Sequence, residues 1–284
     1  MHLIDGKKIA GEILEAIALQ VSKIEGRKPG LGLILVGDHP ASRSYVRSKK
    51  KACGETGIAS ITFELPATIA QSDLLRKIEE LNLDPKIDGI LVQLPLPPHI
   101  DEKAVTFAID PKKDIDGFHP LNVGKMLLGD EDGFFPCTPH GIQILLEKAK
   151  IPIEGKHVVI LGRSNIVGKP LAALLMQKKK HCNATVTIAH SKSERLESIT
   201  RSADILIAAI GRPLFIKKEM VKPGATVIDV GINRLPDGKI VGDVEFPSVS
   251  EIAGCISPVP GGVGPMTIAM LLQNTLWSYL KRHA

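Results

Sequence analysis

Four residues in the first half of the chain have the chemistry to handle a proton together: Tyr45, Lys49, Gln93 and Asp116. Tyr45 and Lys49 stand four apart, so on a helix they share one face. A tyrosine one turn before a lysine can position that ammonium and tune it for proton transfer. The ordinary alternative is a solvated basic face, since Arg43, Arg47, Lys50 and Lys51 lie on the same stretch. Gln93 follows the apolar run Ile90-Leu91-Val92 and precedes Leu94-Pro95-Leu96-Pro97-Pro98. An amide there must find hydrogen bonds, so it is either a site residue or a costly exception in the core. Asp116, between Ile115 and Gly117, is a loop carboxylate equally suited to turn duty.

The second half offers different chemistry. Val158-Val159-Ile160-Leu161-Gly162-Arg163-Ser164-Asn165-Ile166-Val167-Gly168-Lys169-Pro170 runs from strand through a tight glycine loop into a helix. Glycine lets backbone approach a phosphate, and a helix N-terminus offers free N–H groups. The loop departs from GxGxxG: its glycines are six apart, with Ser164 where the second would stand. Taken alone such a loop is weak evidence, but its flanking strand and helix are those a dinucleotide site requires. The next strand ends in His190-Ser191-Lys192, without the acid that would hold a ribose 2′-hydroxyl. Arg163, Ser191 and Lys192 suit a 2′-phosphate, which favours NADP over NAD. Ala209-Ile210-Gly211-Arg212-Pro213 and Val230-Gly231-Ile232-Asn233 are strand-to-loop junctions and candidate walls for the nicotinamide end, or simple strand termini.

These residues need a scaffold, and the pattern supplies one. Apolar runs at 31–37, 87–94, 157–161, 184–189, 204–210 and 225–230 read as parallel strands buried on both faces. Between them 9–24, 42–53, 72–81, 141–150, 169–178 and 196–203 read as helices, Ser42 serving as a cap. Alternation of this kind predicts an α/β fold: a Rossmann-type doubly wound nucleotide domain plus a smaller α/β N-terminal domain completed by the C-terminal helix. The breaker-rich stretch 111–133 marks the boundary, and Thr138-Pro139 looks like the cap and first residue of the next helix. The expected division is 1–120, with 266–284 packing back on it, and 121–265.

The 284 residues are 44% hydrophobic and 24% charged, which excludes a disordered or collagen-like chain. A formal charge of +5 suits an anionic small molecule. With only 4% aromatic residues and no aromatic-interleaved basic stripe, a nucleic-acid module is disfavoured. Cys53, Cys137, Cys182 and Cys255 form no CxxC pair, so no metal site or disulfide framework is expected. The N-terminus lacks an apolar leader and no run approaches a membrane span, which predicts a cytoplasmic protein. Gly-Arg-Ser-Asn-Ile around Ser164 is not the GxSxG of a serine hydrolase.

Five segments, in order, resemble one family. They are 41–52 (ASRSYVRSKKKA), 88–97 (DGILVQLPLP), 113–118 (KDIDGF), 162–170 and 258–267 (PVPGGVGPMT). All are similar to the bifunctional methylenetetrahydrofolate dehydrogenase/methenyltetrahydrofolate cyclohydrolases, and the resemblance runs from about Leu3 to the final helix. It implies NADP-dependent oxidation of 5,10-methylenetetrahydrofolate to the methenyl cation, followed by hydrolysis to 10-formyltetrahydrofolate. It implies that Lys49 is the principal catalytic residue of the second step, with Gln93 its hydrogen-bonding partner. Tyr45 would pack on the folate, Asp116 would hold the pterin, and Pro260 and Gly261 would line the folate cleft. Gly162, Arg163, Ser164, Ser191 and Ile232 would contact NADP. A homodimer is implied in the same way. A polyglutamate tail on the folate would be drawn to Arg43, Arg47 or Lys50. A dehydrogenase without the hydrolase is the alternative, and the joint presence of Tyr45, Lys49 and Gln93 argues against it. A shikimate-type NADP dehydrogenase shares the two-domain build, but nothing favours it over the folate motifs.

Overall fold

The computed structural model describes residues 1–283. In chain order the first elements are β1 (His2–Leu3), α1 (Gly6–Ser22), β2 (Gly30–Val36), α2 (Pro40–Thr56), β3 (Ala59–Leu65), α3 (Gln71–Leu83) and β4 (Gly89–Val92). Three helices follow: α4 (Glu102–Ala108), α5 (Pro120–Leu128) and α6 (Cys137–Lys148). Next come β5 (His157–Leu161), α7 (Gly168–Leu175), β6 (Thr185–Ala189), α8 (Leu196–Arg201), β7 (Ile205–Ala208) and β8 (Thr226–Asp229). The chain closes with β9 (Asn233–Arg234), β10 (Ile240–Val241), α9 (Phe246–Ser250), β11 (Cys255–Ile256) and α10 (Val263–His283).

Two compact units form: Gly11–Cys137 with the segment from Ile268, and Met1–Ala10 with Thr138–Thr267. The break therefore falls after Cys137, not after residue 120, for two physical reasons. The stretch expected to be a linker contains α5, started by Pro120 at its first position and by the His119 ring nitrogen accepting the Leu121 N–H at 3.1 Å. Gly129, left-handed at φ 79°, stops it. Buried Asn122 on this helix donates to Asp114 at 2.8 Å and to the Pro111 carbonyl at 3.0 Å, which ties α5 to the first unit. At the other end, β1 pairs in parallel with β11, which places the N-terminal residues in the nucleotide unit.

The unit holding Gly11–Cys137 is built on a parallel sheet of order β3-β2-β4. Central β2 is buried along its whole length, whereas edge strand β3 is half exposed. Ile34, Leu74, Ile78 and Ile90 are fully buried in its core, each worth about 1.5–3 kcal/mol of burial. Helix α10 closes this unit through polar locks. Ser278 donates to the carbonyls of Asp88 (2.6 Å) and Lys112 (2.9 Å), and Arg282 reaches the Asp88 carboxylate at 3.2 Å. Asp88, wholly buried, also takes a two-pronged bond from Arg27 (2.6 and 3.0 Å) and the Gly30 N–H (2.7 Å). Removing one partner of such a buried charge is expensive, so this clamp is a structural anchor.

The other unit carries a six-stranded sheet of order β1-β11-β8-β7-β5-β6, parallel throughout. The chain goes from β5 to β6 on one side and then crosses to β7 on the other, so strand order reverses at β5. Such a reversal opens the ligand crevice of an open parallel sheet at the carboxyl ends of its strands. The doubly wound expectation holds, with one correction: β6 is an exposed edge strand, not one buried on both faces. Two local expectations also change. Helix α6 starts at Cys137, so Thr138 and Pro139 lie in its first turn, and the Thr138 hydroxyl bonds that of Thr267 at 3.0 Å. Helix α2 starts at Pro40 after His39, so Ser42 is not its cap. The Ser42 side chain is 2% exposed and its hydroxyl has no hydrogen-bond partner.

Candidate active site

Helix α2 leaves the carboxyl end of β2, and Gln93 follows directly on β4. Because β2 and β4 are neighbours, the two segments meet. The Gln93 N–H donates to the Ile34 carbonyl at 2.9 Å, fixing the backbone. Its side-chain amide is held at both ends: Oε1 accepts from Lys49 Nζ at 3.0 Å, and Nε2 donates to the Leu94 carbonyl at 2.7 Å. Lys49 is only 8% exposed. Burial pulls its ammonium below the ordinary lysine range, and Asp116 opposes that pull. The reciprocal holds for Asp116, whose carboxyl is raised by burial and drawn back by Lys49. Tyr45, one turn before Lys49, is half-buried, and burial raises its phenol.

Residues outside the expected set hold Asp116 in place. The Asp116 carbonyl accepts the Cys137 N–H at 3.3 Å, and the adjoining Ile115 carbonyl accepts Asn274 Nδ2 at 2.8 Å and the Cys137 thiol at 3.2 Å. Asp114 bonds the far side of the loop, accepting from Asn122 Nδ2 (2.8 Å), the His119 N–H (2.8 Å) and the Phe118 N–H (3.3 Å). Burial nevertheless pushes its carboxyl up to about 7. Lys113, also buried, donates to the Leu81 and Asp84 carbonyls at 2.8 Å each, ending α3. The thiols of Cys137 and Cys53 both feel Lys49, yet burial keeps them protonated, Cys53 at about 11. These are inert thiols, not nucleophiles. The signal for Asp114 lay in Lys113-Asp114-Ile115-Asp116-Gly117, where nothing in the spacing says which acid serves the loop and which the site.

On the outer face of α2, Arg43 is paired with Asp38 and lies 3.4 Å from Glu64. Arg47 and Lys50 are exposed.

In the nucleotide unit, β5 is followed directly by Gly162, whose φ of +139° and surroundings require glycine. A Cβ there would stand 2.1 Å from the Ala209 carbonyl oxygen, and one at Gly168 would stand 2.1 Å from that of Gly162. The loop is packed backbone against backbone, as a phosphate cradle must be. Ser164 Oγ accepts the N–H groups of Val167 (3.1 Å) and Gly168 (3.4 Å), turning the loop into α7. Arg163, Ser191 and Lys192 are exposed at the carboxyl ends of β5 and β6, and no acid stands among them. These features fit a dinucleotide bearing a 2′-phosphate. Ile232 is 46% exposed beyond β8. Pro260 is exposed and Gly261 has φ +106°, in the loop before α10, where the Gly261 carbonyl accepts the Lys7 N–H at 2.8 Å. The structure thus gathers Lys49, Gln93, Tyr45 and Asp116 in one unit. Gly162, Arg163, Ser164, Ser191, Ile232, Pro260 and Gly261 lie in the other.

Comparison with known proteins agrees with both halves. Residues 4–116 match the catalytic-domain model of tetrahydrofolate dehydrogenase/cyclohydrolase, and residues 136–283 match its NAD(P)-binding-domain model. The chain is 56% identical to the bifunctional protein FolD of Protochlamydia amoebophila, covering 98% of each. Among solved structures it is similar to the bifunctional FolD of Campylobacter jejuni (50% identity, 99% of each chain, TM-score 0.95). It is also similar to the dehydrogenase-cyclohydrolase of Trypanosoma brucei, solved with NADP and an inhibitor (39% identity, 99% and 98% of the chains, TM-score 0.93). This chain belongs to the tetrahydrofolate dehydrogenase/cyclohydrolase family.

Proposed function

We propose that the chain carries both activities, oxidising 5,10-methylenetetrahydrofolate with NADP and then hydrolysing the methenyl product to 10-formyltetrahydrofolate. The observation that carries this reading is the hydrogen bond from buried Lys49 to Gln93, with Asp116 acting on the same ammonium. Asp116 accepts the adjacent N–H donors of the pterin ring, a bidentate task for which one carboxylate suffices. Water adding to the methenyl carbon releases one proton, and breaking the bond from that carbon to N5 leaves the formyl group on N10. Lys49, shifted toward its neutral form by burial, takes or relays the proton. Gln93, pinned at both ends, fixes where the amine points. Tyr45 supplies a half-buried ring against the folate, and the roles of Pro260 and Gly261 in folate contact rest on the 258–267 motif.

NADP, when bound, supplies the hydride acceptor. Gly162 gives its phosphates close approach to backbone, and Ser164 shapes the turn. Arg163 and Ser191 would hold the 2′-phosphate, and Ile232 would border the nicotinamide end. A homodimer working in the cytoplasm completes the proposal; among the described residues no helix is long and apolar enough to cross a membrane. With Arg43 engaged by acids, Arg47 and Lys50 are the cations left to attract a polyglutamate tail. KM for polyglutamylated substrate should then rise with salt more than KM for the monoglutamate, and equal values throughout would remove the idea.

The deciding experiment follows methenyl absorbance with purified protein, methylenetetrahydrofolate and NADP or NAD in turn. The signal should rise and then decay with NADP, and be weak with NAD. A rise that never decays beyond the uncatalysed rate defeats the bifunctional reading.

A further inference from the structure

Two buried carboxylates at the carboxyl end of the nucleotide sheet are committed to holding loops. Asp229, the last residue of β8, accepts the N–H groups of Gly231 (3.0 Å) and Asp243 (2.9 Å) on Oδ1 and that of Val244 (3.0 Å) on Oδ2. Asp243, just beyond β10, accepts the N–H groups of Ile210 (2.8 Å) and Gly211 (2.9 Å) on Oδ2, and Asn233 Nδ2 (2.9 Å) on Oδ1. Asp229 is 3% exposed and Asp243 0%. One side chain therefore ties the loop after β7 to the loop after β8. There is no slack around it: a Cβ on Gly231 would lie 2.4 Å from Asp243 Oδ1, and one on Gly242 would lie 1.7 Å from Asp229 Oδ2. The Asp243 and Gly242 carbonyls accept the N–H groups of Ile216 (2.9 Å) and Leu214 (3.0 Å), so the far side of the first loop is anchored at the same place.

We infer that Asp243 is a positioning residue for the nicotinamide end of the bound cofactor. It sets the loops 210–212 and 231–233 without touching NADP. A buried carboxylate is costly unless its oxygens are satisfied, and here all three donors come from segments that border the crevice side of the sheet. Loops fixed before binding need not be ordered during it, which raises affinity for whatever rests on them. The inference rests on the proposed placing of Ile232 against the nicotinamide.

The test uses the full chain carrying Asp243→Asn and measures binding of NADP and of 2′,5′-ADP by calorimetry. The second probe keeps the 2′-phosphate and lacks the nicotinamide. NADP should weaken by about tenfold or more, the scale of one lost charge-assisted bond, with 2′,5′-ADP unchanged. Equal weakening of both ligands makes Asp243 a general support of the unit and overturns the inference, as does no weakening of either. Should Asp243→Asn not fold, Asn233→Ala removes only the Oδ1 arm, and the same contrast between the two ligands decides. Ile232→Ala separates the two layers. If it leaves NADP binding unchanged, the placing of Ile232 fails; if it weakens NADP while Asp243→Asn does not, only the role of Asp243 fails.

Discussion

Around Gly162 a ligand would meet exposed side chains and a loop packed backbone against backbone. Around Lys49 it would meet ionisable side chains withdrawn from water. The nucleotide unit achieves closeness by omitting Cβ atoms where carbonyls stand 2.1 Å from the space a side chain would fill. The unit holding Gly11–Cys137 leaves a lysine 8% exposed and lets a carboxyl and an amide define its state. The contrast follows from what each ligand part demands. A phosphate needs many donors at short range and no change of protonation, which backbone provides. Proton transfer needs a group whose charge is open to adjustment, and burial is the lever that adjusts it.

The largest expected effect breaks the second half of that contrast. Lys49→Met keeps the length of the side chain and removes its nitrogen. Methenyl hydrolysis should fall by about 10²–10⁴-fold, the span of general acid–base assistance, while NADP affinity stays unchanged. Stopped assays with methenyltetrahydrofolate and a separate NADP titration check both arms. Retained hydrolysis would show that buried side-chain chemistry is not what this unit supplies.

Gly162→Ala attacks the first half. The new methyl meets the Ala209 carbonyl at 2.1 Å in a backbone conformation unfavourable to alanine, so the loop must shift. Overpacking and strain of this kind cost about 1–3 kcal/mol each. NADP affinity should drop accordingly, while hydrolysis of supplied methenyltetrahydrofolate continues. Loss of hydrolysis with retained NADP binding would reverse the assignment of the two units.

How far the sequence disclosed each half depends on the same physics. The buried strands 157–161 and 89–92 and the glycine loop were legible because unbroken apolar runs and paired glycines are local signals. Edge strand β3 was not, since Ser60, Thr62 and Glu64 give it the polarity of a loop; half of it faces outward. Helix α5 was hidden among breakers, although His119-Pro120 and Gly129 mark its two ends. The pairing of Lys49 with Gln93, 44 residues apart, was expected by family resemblance and is built by the adjacency of β2 and β4. Asp114, Asp243 and Asn274 escaped notice because their work is to bind backbone from distant segments, and no local pattern records that.

Arg163→Ala sharpens the comparison from the side of charge. If the exposed guanidinium serves the 2′-phosphate, NADP should weaken by about 1–3 kcal/mol and NAD hardly at all. Calorimetric titration with each dinucleotide measures the difference. Equal weakening of both would assign Arg163 to the loop itself, leaving Ser191 and Lys192 to account for the preference.

The smallest effect compares the units through their buried carboxylates. Asp114 is raised to about 7 and Asp229 to about 6, in each case chiefly by burial. The ordinary value of both, 3.8, applies when the chain is unfolded. Each folded carboxyl therefore holds its proton more tightly, and its contribution is full below that ordinary value and lost as pH rises through the folded value. The stability difference between the parent protein and Asp114→Asn should shrink from about pH 4 to about pH 7, by at most about 1.4 kcal/mol per pH unit, and then level off. For Asp229→Asn the levelling should come about one pH unit lower. Denaturant titrations of the three proteins across this range measure both curves. A difference that grows with pH at Asp114 would mean that its bonds from Asn122, His119 and Phe118 outweigh burial. The loop under Asp116 would then be held by a fixed charge, as a backbone-binding site is, and the two units would be more alike than their ligands suggest.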